Sequence, residues 1–114
     1  MNLRFLETFV LLAELRNFRM TAERLFTTQA AVSSRIATLE QEFGVRLFDR
    51  SQTPLALTPA GEVLLGYARR LLELNDEAAV ALRGVELDGW IKLGLQEDFG
   101  EALLPEVLGR FARA

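Results

Sequence analysis

The chain has 114 residues, 50% of them hydrophobic and 25% charged, enough apolar surface for one small core and too much for disorder throughout. It contains 0 Cys and 0 His. That excludes disulfides and thiolate chemistry, and leaves carboxylates alone for zinc, an improbable ligand set. The net charge of −3 points away from nucleic acid, but the charges are uneven. Residues 1–58 carry seven Arg against six acids, a net +1, whereas residues 59–114 carry six basic against ten acidic residues, a net −4. If nucleic acid binds, it binds the first half. The positive charge there is all Arg, the side chain suited to bidentate phosphate and guanine contacts. No stretch of about 18 apolar residues appears and no targeting segment, so the chain reads as cytoplasmic, with no membrane partner.

Leu3, Leu6, Phe9, Val10 and Ala13 recur at helical spacing and predict a helix over 3–15. Asn17-Phe18 breaks it. A short helix follows over about 19–25, with Ala22 and Leu25 inward. Phe26-Thr27-Thr28 is a tight connection in which either Thr can cap the next helix. That helix runs over about 29–42, with Ala31, Val32, Ile36, Leu39 and Phe43 apolar, and Gly44 stops it. The period then shifts toward two. Val45, Leu47, Leu55 and Leu57 flank the polar turn from Asp49 to Pro54, which predicts a hairpin with strands near 46–49 and 55–58. Thr58-Pro59 opens a long helix with a good cap and a favoured first residue. Leu64, Ala68, Leu71, Asn75, Ala78 and Leu82 step by 4, 3, 4, 3, 4, and Leu65, Leu72 and Ala79 widen the seam. Gly84 and Gly89 are expected to end this helix. Over 59–83 it would be roughly 38 Å long, too long to fold back on so small a domain, so the seam needs a partner. Asn75 either fixes register within that seam or faces water at its edge. Trp90 to Leu95 reads as a strand and Glu101 to Ala112 as a helix. A lone strand and helix cannot bury these faces, so the run reads as the opening of a further α/β domain.

The expected fold is mainly α. Residues 1–58 form a winged helix-turn-helix, 59–87 a linker helix for dimerisation, and 88–114 a short strand–helix fragment of a truncated α/β domain. Ala22 is small where the two helices of the helix-turn-helix cross, and Val32, Leu25 and Ile36 fill the space between them. The opposite face of the third helix carries Thr28, Gln29, Ala30, Ser33, Ser34 and Arg35. These side chains suit close approach to base edges and phosphates. Arg35 either contacts DNA or pairs with an acid such as Glu40. No glycine-rich phosphate loop and no pair of carboxylates in a plausible cleft is found, so no enzyme is expected.

The sequence resembles the N-terminal part of LysR-type transcriptional regulators. The resemblance rests on Phe18 to Leu25, Gln29 to Ile36, Leu39-Glu40, Gly44 to Arg50 and Leu57 to Gly61, and it extends over the whole chain. It implies that the helix from Gln29 is the recognition helix. Arg50 and the Ser51–Pro54 turn, Thr53 included, would be a wing beside the minor groove. The helix from Pro59 would pair two subunits. Residues from about Trp90 would begin an effector domain, in which Gln96, Glu97, Asp98 and Phe99 line a co-inducer cleft. Glu97 and Asp98 would there suit a cationic group, or would stabilise the start of the next helix. The partners implied are double-stranded DNA at a partly palindromic site, further copies in a dimer or tetramer, and a small co-inducer in a longer chain only. No cofactor and no metal is implied. Four positions depart from the family pattern. Ala30 replaces a usual Pro, Thr21 a frequent Ala, and Phe26 is bulkier than usual. Arg19 stands where Ser or Thr caps the preceding helix, a weaker cap at about 1 kcal/mol. The alternative reading is a dimerising interaction module that antagonises a full-length regulator, favoured by the acidic balance.

Overall fold

In the computed structural model, the backbone of residues 1–92 and the side chains of residues 1–85 are described. Asn2 starts the first helix, α1 (Leu3–Leu15), its side chain accepting from the Arg4 N–H at 2.8 Å. The buried stripe of α1 is Leu6, Phe9, Leu12 and Ala13. Thr8 is buried beside it, its hydroxyl donating to the Arg4 carbonyl at 3.0 Å. Leu3, counted in the expected stripe, is 38% exposed, because it lies in the first turn.

The second helix, α2 (Phe18–Arg24), begins one residue earlier than expected. Its cap is Asn17, whose side chain accepts from the Met20 N–H at 2.9 Å. The expected weakness at Arg19 is therefore not realised, since Asn is among the strongest capping residues. The third helix, α3 (Gln29–Phe43), is capped by the Thr28 hydroxyl, which accepts from the Ala31 N–H at 3.0 Å. Gly44 closes α3 at φ 65°, a left-handed conformation that favours glycine.

A hairpin follows, with β1 (Phe48–Asp49) and β2 (Ala56–Leu57) antiparallel and Phe48 opposite Leu57. Both strands are shorter than expected. The hairpin is fixed to the helices by Glu40, which accepts from the Leu47 N–H at 2.8 Å, and by Thr58, whose N–H donates to the Leu47 carbonyl at 3.0 Å.

Thr58 also caps the fourth helix, α4 (Pro59–Lys92), accepting from the Gly61 N–H at 3.0 Å. The helix runs through Gly84 and Gly89 and takes in Trp90–Lys92, which corrects both the expected end near residue 83 and the start of the expected strand. A glycine inside a helix costs about 0.5–1 kcal/mol relative to Ala but does not stop it. A stop also needs a left-handed residue that offers its N–H to the preceding turn, as Gly44 does. The remainder of the expected strand and the helix over 101–112 lie outside the described residues.

The chain divides into two units, Met1–Leu72 and Glu73–Ala114. The core of the first joins Leu6, Phe9, Leu12, Ala22, Val32, Ile36, Leu39, Leu47, Phe48, Leu55 and Ala68. Phe9 meets Phe48 edge to face, with centroids 5.5 Å apart. Each large side chain here contributes about 1.5–3 kcal/mol by leaving water. Leu25, expected in this core, is only half-buried and lies outside the cluster. It is the C-cap of α2, where the chain is already turning away. Ala68 is fully buried in this core, and Leu64, Leu65 and Leu72 pack against it. The start of the expected seam is therefore covered by its own chain, and a partner is not needed there.

Candidate nucleic-acid interface

The helix-turn-helix is α2, a four-residue turn from Leu25 to Thr28, and α3. Ala22 is 3% exposed and Val32 and Ile36 are fully buried between the two helices. This packing fixes which face of α3 is left outward. Thr28, Gln29, Ala30 and Ser34 are exposed there, and Ser33 is half-buried. The first turn of α3 thus offers one amide, short hydroxyls and a methyl, with free helix N–H groups that favour a phosphate.

Arg35 does not join Glu40. Its Nη1 donates to the Thr8 hydroxyl at 3.1 Å, while Glu40 is held by the Leu47 N–H. A guanidinium has five N–H donors, so Thr8 orients Arg35 and leaves most of its donors to another acceptor.

The wing is the hairpin turn. The Asp49 carboxylate accepts from the Ser51 hydroxyl at 2.6 Å, the Ser51 N–H at 3.0 Å and Gln52 Nε2 at 3.0 Å. Bonds from the Ser51 hydroxyl, the Ser51 N–H and Gln52, in that order, hold its carboxyl below the usual carboxylate range. Thr53 and Pro54 are exposed at the tip and joined by a cis peptide. The guanidinium of Arg50 lies 5.2 Å from the centroid of the Phe18 ring, a cation–π contact that sets its direction. Arg46, Asp49, Arg50, Ser51, Thr58 and Pro59 line an open recess of about 520 Å³. Arg46 was not singled out from the sequence. Its signal was its place between Val45 and Leu47 in the run before the hairpin, where the buried Leu47 leaves Arg46 outward.

Along α4, Ala68 has no surface left, and Leu64, Leu65 and Leu72 are half-buried, whereas Leu71, Asn75, Ala78, Ala79 and Leu82 are exposed. Val63 is 63% and Tyr67 58% exposed. Neither was placed in the seam, because hydropathy spacing does not tell a stripe covered by its own domain from one left free. Gln96, Glu97, Asp98 and Phe99 lie outside the described residues. Among the described residues no group of three His, Cys, Asp or Glu is placed to hold a metal ion, and no described helix is long and apolar enough to cross a membrane.

Three helices closed by a two-stranded wing define a winged helix-turn-helix domain. Residues 3–62 match the family described as bacterial regulatory helix-turn-helix protein, lysR family, and the chain belongs to that family. It is 38% identical over 110 residues to the HTH-type transcriptional regulator PecT of Dickeya dadantii, covering 96% of this chain and 35% of PecT. The chain thus spans about a third of that relative's length. Among solved structures it resembles the BenM_DBD/benA site 1 DNA complex, with a TM-score of 0.73 and 32% identity over 75% of this chain and 97% of the other. The CbnR_DBD-DNA complex gives a TM-score of 0.72 and 35% identity, covering 75% and 99%.

Proposed function

We propose that this chain binds duplex DNA as the reading part of a LysR-type transcriptional regulator in the cytoplasm. The observation that carries this reading is the outward face at the start of α3, where Thr28, Gln29, Ala30 and Ser34 are exposed while Val32 and Ile36 on the opposite face are buried in the core with Ala22. The two DNA complexes that the fold resembles support it. Gln29 and Ser33 read base edges in the major groove. Thr28, Ala30 and Ser34 lie against the backbone beside them, and Arg35, steered by Thr8, reaches a base or a phosphate. Arg50, Thr53 and Arg46 set the wing on the adjacent phosphates.

Two copies pair through α4, and a site of partly palindromic sequence matches that symmetry. In the first unit, Val63, Tyr67 and Leu71 recur at steps of four on α4 and are exposed; further along, Asn75, Ala78, Ala79 and Leu82 are exposed as well. The assembly is a dimer or a tetramer, and control by a small co-inducer belongs to a longer chain.

The test is fluorescence anisotropy with two labelled duplexes, an inverted repeat with an A/T-rich centre and its scramble, each at two salt concentrations. The expected result is tighter binding to the repeat, lost as salt rises because phosphate contacts release counterions. A dimeric protein that binds neither duplex at any salt would turn the reading to an interaction module and to the acidic second half.

A further inference from the structure

The turn between α2 and α3 closes α2 by a specific pair of bonds. The Thr27 N–H donates to the Ala22 carbonyl at 2.9 Å and the Phe26 N–H to the Glu23 carbonyl at 3.2 Å. This is the Schellman arrangement, which requires the residue after the cap to be left-handed and favours Gly or Asn there. That residue is Phe26, at φ 55°. A bulky side chain in this conformation is strained. The ring gains nothing from the fold in exchange, since Phe26 is 97% exposed. Arg16 shares the conformation, at φ 54°, but its guanidinium belongs in water. Phe26 combines strain with an aromatic ring left in solvent. It sits two residues before the Thr28 cap of α3.

We infer that Phe26 is a DNA-contact residue, which lays its ring on an apolar part of the duplex beside the first turn of α3. The inference rests on the DNA-binding reading above and deepens it. A phenyl ring has no donor or acceptor, so its partner on DNA is apolar, a thymine 5-methyl group or the C–H face of a deoxyribose. Strain retained at an exposed position marks a site whose constraint serves binding. The contact adds specificity at the edge of the site and costs stability in the free protein.

The two effects have opposite signs, and one variant reads both. Phe26→Asn in the full chain is expected to raise Tm by roughly 4 °C, because Asn tolerates the left-handed region. The same variant is expected to bind the labelled inverted-repeat duplex about tenfold more weakly. Phe26→Tyr keeps the ring and is expected to keep the affinity. Repeating the titrations with deoxyuridine in place of thymidine separates the two partners. If the wild type then falls to the level of Phe26→Asn, the methyl group is the contact; if the difference persists, the deoxyribose is. Unchanged affinity for Phe26→Asn overturns the inference and leaves the DNA-binding reading standing. So does a change in oligomeric state with unchanged affinity. A wild type that binds no duplex overturns both.

Discussion

At the residue scale, the wing turn is organised by one carboxylate. Asp49 gathers the hydroxyl and N–H of Ser51 and the amide of Gln52, and these bonds hold its carboxyl below its ordinary range. The shift fixes the sign of a pH effect. A carboxyl whose folded-state pKa is depressed contributes stability above its unfolded value, about 3.9, and loses it as pH falls through the folded value. The Ser51 and Gln52 amide resonances are therefore expected to stay constant from neutral pH to about 4 and to titrate together below that. Asp49→Asn should remove that inflection. A midpoint at or above the ordinary carboxylate value, followed by NMR, would show that the three bonds do not form in solution. The geometry was not legible in the sequence, where Asp49 to Pro54 read only as a polar turn. Which donors a turn aspartate collects depends on backbone angles that composition does not carry.

At the element scale, helix starts were more legible than helix ends. Thr28 and Thr58 stand where the capping rule places them, and both accept from N–H groups of the first turn. Asn17 carried the same signal, but as a break between helices it masked its own role as a cap. Gly44 was legible as a stop because it meets the rule fully, with a left-handed φ, whereas Gly84 and Gly89 lie within α4. Glycine therefore has to be read by its surroundings, and α4 offers a matched pair. A Cβ on Gly61 would collide with the Leu47 carbonyl oxygen and come within 2.8 Å of Leu57 Cδ2. Gly61→Ala should force the wing away from α4 and cost about 1–3 kcal/mol. Gly66, on the same helix, has open space around the same position, so Gly66→Ala should gain up to about 1 kcal/mol of helix propensity. Thermal melts followed by circular dichroism should move in opposite directions, by roughly 4–8 °C per kcal/mol for a domain of this size. If both variants melt like the wild type, the wing does not rest on the start of α4 as described.

For the whole molecule, the question is which part of α4 serves its own domain and which part is left free for the proposed pairing. Periodicity alone merged the two. It placed Ala68 and Leu71 in one seam, but Ala68 is fully buried in its own core and Leu71 is 37% exposed. The same spacing is produced by either kind of burial, so the assignment needs the fold. Ala68→Leu should overpack the core, destabilise the monomer by about 1–3 kcal/mol and disturb pairing only through that loss. Leu71→Glu should leave the melting of the separated monomer near that of the wild type, because exposed substitutions stay within about 0.5 kcal/mol. It should nevertheless abolish the dimer by placing a charge in an apolar contact. Residues 1–58 carry a net charge of only +1, so one copy has little general attraction for phosphates, and under the proposed function tight binding is expected to depend on joining two reading helices. Sedimentation of Leu71→Glu is expected to give a monomer, and anisotropy on the inverted repeat a loss of at least a hundredfold in affinity, consistent with the usual range of avidity. A variant that sediments as a dimer would show that α4 pairs along a different face. A monomer that still binds the repeat at wild-type affinity would show that a single copy reads the site.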